Sequence, residues 1–385
     1  MFRKTLFWAH LVCGVTAGLV VAMMSLTGVL LTYERQILAW ADRGDYEPPP
    51  QPAERLPIEA LLGAVELHAP ELEPTAITLA RDPARPAAVT AGRNDAYLVD
   101  PYRGHVLGRG AEGLRSFFRA VTGWHRWFNA SGENRAVPRA ITGASNLAFL
   151  FLILSGLYLW LPPAFKWVAF RTRLWFNPYA KTGKARDFNW HHVFGIWSAI
   201  PLAVVVATAV VFSYGWANAL VYRAFGEEPP ARGRGGPPPA AQRGGDGESV
   251  PARPARSAPM LSLDELFARA AAQSNHWKTI TMTLPGAGAD AVRFTIDEGT
   301  GGEPQRRHTL TLDAATGEVR DWQPFSSQSP GRRARSYVRF LHTGEALGLV
   351  GQTIAGIVSL TSLVMVWTGL ALAYRRLIVP LFRRR

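Results

Sequence analysis

The chain has 385 residues, a formal net charge of +13 and one cysteine, Cys13. A single cysteine excludes an intramolecular disulfide and also excludes an iron–sulfur cluster held by several thiolates. The positive charge is concentrated in short stretches beside apolar segments, which argues against a nucleic-acid partner and favours anionic membrane lipid.

Four apolar stretches are long enough to cross a bilayer as helices, which takes about 20 residues. We predict transmembrane helices at residues 5–34, 139–162, 191–217 and 346–375. The first stretch is expected to be retained, because it exceeds a typical signal-peptide core and no small-residue cleavage site follows it. The chain is therefore predicted to be an α-helical membrane protein built on a four-helix bundle.

The basic residues indicate how these helices are oriented. A basic loop at residues 163–190 joins spans two and three, and a basic tail at residues 376–385 follows span four. Short loops rich in Lys and Arg face the cytoplasm. Both termini are thus expected in the cytoplasm, and the two long loops are expected outside.

Each long loop contains a predicted small α+β module, at residues 50–122 and 261–330. An amphipathic helix start, near Leu56 in one and Leu261 in the other, precedes short alternating strands. Both modules then carry the pattern Asp-x-x-x-Gly-x-Val, at Asp100 and at Asp313, which is typical of a turn. Residues 226–260, rich in Pro, Gly and Arg, are predicted to be a disordered linker. Residues 123–138 form a segment before span two that bears His125.

The two halves of the chain repeat one another. Thr27-Gly28 follows His10 by 17 residues, and Thr208-Ala209 follows His191 by the same interval. Spans two and four end on similar pairs, Ser155-Gly156 and Thr368-Gly369. We interpret these four motifs as helix-packing sites, because small residues allow close approach and hydroxyls bond between helices.

Five of the nine histidines fall at two depths of the predicted bundle. His10 and the pair His191–His192 begin spans one and three on the cytoplasmic side, whereas His125 and His342 precede spans two and four on the outer side. Two neutral imidazoles facing each other from different helices suit axial ligation of a haem iron. A closed zinc site is disfavoured because it needs about four ligands.

His191, rather than its neighbour His192, matches His10. The 17-residue interval and the pattern His-x-x-x-Gly both select His191, and one residue rotates a side chain by about 100° on a helix. His192 remains the alternative ligand. Gly14 and Gly195, one turn from the histidines, leave room for a flat macrocycle. Arginines near the outer histidines are candidates to pair with haem propionates: Arg115, Arg126, Arg335 and Arg339.

This set of motifs, ending with Leu341-His342-Thr343-Gly344 before the last span, resembles the PepSY-associated transmembrane proteins. The resemblance covers nearly the whole chain except residues 226–260. It implies a bacterial inner-membrane protein whose four-helix bundle derives from a tandem repeat, with two small periplasmic PepSY-like modules. One branch of the family is similar to ferric-siderophore reductases with two b-type haems. The ligands it implies are His10 and His191 on the cytoplasmic side and His125 and His342 on the periplasmic side.

Two functions from different classes follow from that resemblance. The first is a haem-dependent ferric-siderophore reductase, an oxidoreductase that carries electrons from an unidentified cytoplasmic donor to a periplasmic ferric chelate. The alternative is a non-redox PepSY membrane protein that binds or regulates a peptidase, or senses an extracytoplasmic ligand. His125 lies 30 residues before Ser155, whereas His342 lies 26 before Thr368, so residues 129–138 are expected to loop out.

Overall fold

The computed structural model describes residues 1–44, 46–49, 53–92, 95–163, 165–230, 260–286 and 288–383. The helices in these ranges are α1 (Phe2–Leu31), α2 (Glu34–Ala41), α3 (Ile58–His68), α4 (Glu112–Trp127), α5 (Ala136–Trp160), α6 (Trp167–Leu174), α7 (Gly183–Ser213), α8 (Gly215–Arg223), α9 (Leu263–Ala272), α10 (Pro330–His342), α11 (Gly348–Leu377) and α12 (Val379–Arg383). The strands are β1 (Ala76–Ala80), β2 (Ala87–Ala91), β3 (Asp95–Val99), β4 (Val106–Gly108), β5 (Thr279–Thr283), β6 (Ala291–Asp297), β7 (Arg307–Asp313) and β8 (Val319–Gln323).

Four helices, α1, α5, α7 and α11, are long and apolar enough to cross a membrane, and they coincide with the four predicted spans. Helix α7 begins at Gly183, eight residues before the predicted start at residue 191. Thr182 causes this early start, since its hydroxyl accepts a hydrogen bond from the Ala185 amide at 3.2 Å and so caps the helix. The predicted loop at residues 163–190 therefore contains α6 and the first two turns of α7.

The four long helices form a bundle in which α1 and α7 each pack against both α5 and α11. Polar side chains tie the two halves of the chain together inside it. The Ser362 hydroxyl donates to Ser25 between α11 and α1, and the Asn146 amide donates to the Val206 carbonyl between α5 and α7 at 3.3 Å. Buried hydrogen bonds of this kind hold helices together where lipid supplies no hydrophobic drive.

The strands of both long loops join in one antiparallel sheet, in the order β4-β3-β2-β1-β5-β6-β7-β8. The sequence predicts a separate module in each loop, whereas β1 and β5 pair at the centre, with Thr78 opposite Thr281. The hydroxyls of these two threonines are 2.8 Å apart. Joining the two sets of strands covers an edge of each, and an uncovered edge exposes unpaired backbone groups.

Helices α3 and α9 cover one face of this sheet and share one hydrophobic core with it. Each helix is capped by an acidic residue of the other. Asp264 accepts from the Ile58 amide at the start of α3, at 3.0 Å, and Glu59 accepts from the Leu263 amide at the start of α9, at 2.9 Å. The helices begin close to the predicted starts. One cap of each comes from the opposite half of the chain, and α9 also has a local cap, since the Ser262 hydroxyl accepts from the Glu265 amide.

The repeated Asp-x-x-x-Gly pattern forms the same turn in both halves. The Asp100 carboxylate accepts from the amides of Tyr102 and Arg103, and Asp313 accepts in the same way from two amides after it. The glycines four residues on have φ values of 73° and 66°, which are left-handed values that glycine adopts without strain.

Two amphipathic helices link the sheet to the bundle, and each carries a histidine near its end. Helix α4 contains His125 and packs on α1 and α5, and α10 ends at His342 and packs on α7 and α8. The predicted segment at residues 123–138 is thus the end of α4, a turn, a 3-10 helix at Gly132–Arg135 and the start of α5. Of the predicted linker, residues 231–259 lie outside the described residues.

Candidate functional site

Each of the four selected histidines makes its contact with a different span-end motif through the same ring atom. The Nδ1 atom of His10 lies 2.8 Å from the Ser155 hydroxyl, and that of His125 lies 2.8 Å from the Thr27 hydroxyl. The second half repeats the arrangement, with His191 Nδ1 3.0 Å from Thr368 and His342 Nδ1 3.4 Å from Thr208. Every pair lies within one half of the chain.

The hydroxyl hydrogens are already used, which fixes the direction of these bonds. Each hydroxyl also donates to a backbone carbonyl one turn back in its own helix, at distances between 2.6 and 2.8 Å. A hydroxyl has one hydrogen, so towards the histidine it accepts from Nδ1–H. For His342 the direction is independent of any hydroxyl, because its Nδ1 lies 2.8 Å from the Val205 carbonyl, an acceptor only. Nε2 of each ring is therefore left with a free lone pair.

In three of the four motifs a glycine makes room for the imidazole ring. A β-carbon at Gly156 would lie 3.4 Å from Cε1 of His10, and one at Gly369 would lie 3.3 Å from Cε1 of His191. The fourth motif carries Ala209 in this position, and there the ring of His342 bonds mainly to the Val205 carbonyl. The motifs predicted to pack helices therefore also seat the histidines.

His10 and His191 line a cavity of about 930 Å³ at the end of the bundle that bears the basic loop. This volume lies within the range of cofactor sites, about 300–1,000 Å³. Gly14 and Gly195 also line it, and a β-carbon at either would come no closer than 3.6 Å to another side chain. Protein packing alone therefore does not require these two glycines, and their missing side chains enlarge the cavity.

His192 faces the same cavity but is held differently. Its Nδ1 lies 2.8 Å from the carbonyl of Phe188, one turn back in its own helix, and its ring stacks on Phe188 at a centroid distance of 4.1 Å. It makes no hydrogen bond to another span among the described residues. The bonding pattern that the other four rings share therefore includes His191 and leaves out His192.

His125 and His342 face each other at the sheet end of the bundle, with ring centroids 6.2 Å apart. Burial lowers the pKa of His125 to about 4, and the neighbouring His342 adds to this effect. Burial also lowers the pKa of His342. Both rings are consequently neutral at pH 7, which is the state in which imidazole binds a metal.

Three of the four predicted propionate partners remain free of carboxylates among the described residues: Arg126, Arg335 and Arg339. Arg335 bonds the Asn218 side chain and lies over the Phe212 ring, whose edge meets His342. Arg115 instead forms a two-pronged ion pair with Asp42, and it ties α4 to the chain just after α2. Its assignment as a propionate partner from the sequence is therefore wrong.

The remaining histidines belong to the sheet region, as the sequence predicts: His68, His105, His276 and His308. Among the described residues, no three His, Cys, Asp or Glu side chains converge as a metal-binding group. The described structure thus presents its candidate ligands in pairs, His10 with His191 and His125 with His342, and not in larger clusters.

Comparison with known proteins gives one match. A family model described as "PepSY-associated TM region" matches residues 7–376. The matched range includes all four histidine–hydroxyl pairs and the two helices, α3 and α9, that cover one face of the sheet. No curated protein matches the chain.

Proposed function

Because the chain belongs to the PepSY-associated TM family, we propose that it is a haem-dependent ferric-chelate reductase of the bacterial inner membrane. It takes one electron at a time from a donor on the cytoplasmic side and delivers it to a ferric siderophore, or another ferric chelate, outside. The substrate iron changes from Fe(III) to Fe(II), which hard oxygen ligands hold less tightly. The sheet formed by the two long loops, which we assign as paired PepSY-like modules of a tandem repeat, then lies in the periplasm.

The observation that carries this proposal is the shared bonding of His10, His125, His191 and His342. Metal-binding histidines typically donate their second ring N–H to a protein acceptor, which fixes the tautomer and orients the ring. All four rings meet this condition before any metal is considered. Such a preset donor set suits two bis-histidine sites, one at each end of the bundle.

The space around the histidines supports the same assignment. At the basic-loop end, a cavity of about 930 Å³ and two glycines without close neighbours leave room for a macrocycle. At the sheet end, the ring centroids of His125 and His342 lie 6.2 Å apart, and these two residues would hold the second haem. Bound b-type haem would supply reversible one-electron chemistry at iron. Arg335 and Arg339 are the residues we assign to its carboxylates at the sheet end.

The test is the optical spectrum and haem content of purified protein from cells with ample haem supply. We expect a Soret band, split α and β bands after dithionite reduction, and two haems per chain. His10→Ala and His125→Ala should each remove one haem and leave the other. His192→Ala, a matched loss of one imidazole from the same cavity, should retain both.

A colourless preparation would contradict the proposal and favour the non-redox alternative, a membrane protein that binds or regulates a peptidase or senses a ligand. A single haem that survives His125→Ala would restrict the proposal to the His10–His191 level. Loss of one haem in His192→Ala would reverse the choice between the two neighbouring histidines.

A further inference from the structure

Four arginines from different elements meet at the sheet end of the bundle, beside the His125–His342 level. Arg126 ends α4, Arg135 lies in the following 3-10 helix, Arg139 lies in the first turn of α5, and Arg339 lies on α10. The guanidinium groups of Arg126 and Arg135 both lie over the ring of Trp127, 4.4 and 4.5 Å from its centroid. We call Arg126, Arg135, Arg139 and Arg339 the arginine cluster.

Three of these cations lie close to the fourth, since the charges of Arg139, Arg339 and Arg135 all act on the Arg126 guanidinium. Among the described residues, no carboxylate forms an ion pair with any member of the cluster. Like charges held together without a counterion are costly, so the arrangement favours an anionic occupant.

The backbone beside the cluster is held in a strained conformation. Phe128 and Asn129 are consecutive non-glycine residues with left-handed φ values of 50° and 59°. The Asn129 amide donates to the Gly123 carbonyl at 2.9 Å, and Thr142 on α5 donates to the Arg126 carbonyl at 3.1 Å. Strained backbone of this kind persists where the surroundings hold it, and it is frequent at ligand sites.

Charge counting separates this cluster from the proposed haem site. The two propionates of one haem neutralise at most two arginines, and Arg335 is available in addition to Arg339. Arg126, Arg135 and Arg139 are then left without an anion from the cofactor. Positive charge is also unusual at this end of the bundle, since short basic loops mark the cytoplasmic side.

We propose that Arg126, Arg135 and Arg139 of the arginine cluster bind the carboxylate groups of a polyanionic ferric chelate and hold it beside the His125–His342 level. This inference rests on the proposed function, because it names the class of chelate that would be reduced there. Convergent positive charge raises the local concentration of an anionic substrate and speeds its arrival. Neutral and cationic trihydroxamate chelates gain nothing from the cluster, so the geometry selects chelates by charge.

The experiment measures binding without any electron transfer. Full-length protein in nanodiscs of zwitterionic lipid is titrated with gallium(III) citrate, a redox-inert analogue of ferric citrate, and with a cationic gallium trihydroxamate. We expect the citrate complex to bind more tightly, and to weaken as ionic strength rises through about 0.1 M. The double variant Arg135→Gln/Arg139→Gln should bind it about tenfold more weakly.

A matched control removes the same number of positive charges outside the cluster. Arg119→Gln/Arg332→Gln takes two exposed arginines from α4 and α10 outside the cluster and should leave affinity within about twofold. Arg135→Lys/Arg139→Lys should recover part of the binding, which a loss of local folding would not allow. Equal affinity for the two gallium complexes, or equal weakening in both double variants, would overturn the proposal.

Two further outcomes distinguish the chelate site from the reductase proposal and from a lipid-binding site. If gallium citrate fails to bind in zwitterionic nanodiscs while two haems are present, the reductase proposal stands and the chelate site is refuted. If the cluster's double variant changes only the protein's affinity for nanodiscs rich in phosphatidylglycerol, the cluster holds a lipid headgroup, and the chelate site is again refuted.

Discussion

At the candidate site, one side-chain hydroxyl accepts a hydrogen bond from each imidazole and orients it. Thr368→Val keeps the shape of the side chain but removes the acceptor for His191 Nδ1. A hydrogen bond of about 0.5–1.5 kcal/mol corresponds to about 20–60 mV for one electron. We therefore expect the midpoint potential of one haem to shift by about this amount in a spectroelectrochemical titration.

Thr16→Val is the matched control for that change. Thr16 lies on α1 and its hydroxyl bonds only the backbone of its own helix, at Val12 and Cys13. It should leave both potentials unchanged. Equal shifts in the two variants would show that the hydroxyl acts through general packing and not through the histidine.

The Asp313 turn predicts a pH-dependent stability. The backbone amide of Thr316, the Arg320 guanidinium and the amide of Ala315 hold the pKa of Asp313 well below its usual range. The stabilisation is therefore complete above the unfolded-state value near 4 and is lost as pH falls through the lower native value. Asp313→Asn should lower the thermal melting temperature at pH 7 but have a smaller effect at pH 3. Asp321→Asn, whose carboxylate bonds a side chain only, should show no comparable pH dependence.

Single residues also mark how far the sequence could predict the site. A matched interval selected His10 and His191, because a repeat preserves spacing whatever the fold, and His125 and His342 were selected by their position before spans two and four. The partner of each histidine was missed, because Thr27 follows His10 in sequence but contacts His125 in space. The sequence did contain a signal for these partners. There are four hydroxyl motifs and four histidines, and each half of the chain has two of each.

Among the secondary-structure elements, the reciprocal caps of α3 and α9 make the clearest prediction. Asp264→Ala leaves the first amide of α3, that of Ile58, without its acceptor, and loss of such a cap costs about 1 kcal/mol. We expect the free energy of unfolding of the sheet region to fall by that amount in a denaturant titration. Glu66→Ala, on an exposed face of α3, should change it much less.

The elements themselves were largely predictable and their partners were not. Long apolar runs predicted the four spans, and alternation predicted the strands, because both patterns are local. The pairing of β1 with β5 joins residues about 200 apart, and no local pattern states which strand edge will be covered. The same limit hid the extension of α4 through His125, since its apolar stripe becomes recognisable only against α1 and α5.

For the whole molecule, the two halves are held together by non-covalent contacts in both regions. Helices α1 and α7 both pack against α11, and β1 pairs with β5 along five residues. A chain divided into residues 1–230 and 260–385 should therefore reassemble when both pieces are co-expressed. Co-purification through a tag on one piece, together with haem content, measures this.

Replacing Thr78 and Thr281 by proline in the divided protein should disrupt the β1–β5 pairing, because proline removes ladder hydrogen bonds in a central strand. We expect the two pieces then to associate less. Failure of the unaltered pieces to co-purify would mean that chain continuity, and not the observed contacts, maintains the assembly.

The placement of each histidine beside a hydroxyl of its own half, opposite a histidine of the other half, bears on how the protein is made. A nascent chain that has emerged as far as α5 already seats His10 and His125, but it presents each as a lone imidazole. The opposing rings arrive only with α7 and α10, and the hydroxyl of Thr368 lies on α11, the last of the four long helices. Under the proposed function, cofactor capture therefore waits until α11 has been made, so products that stop before α11 lack a completed site.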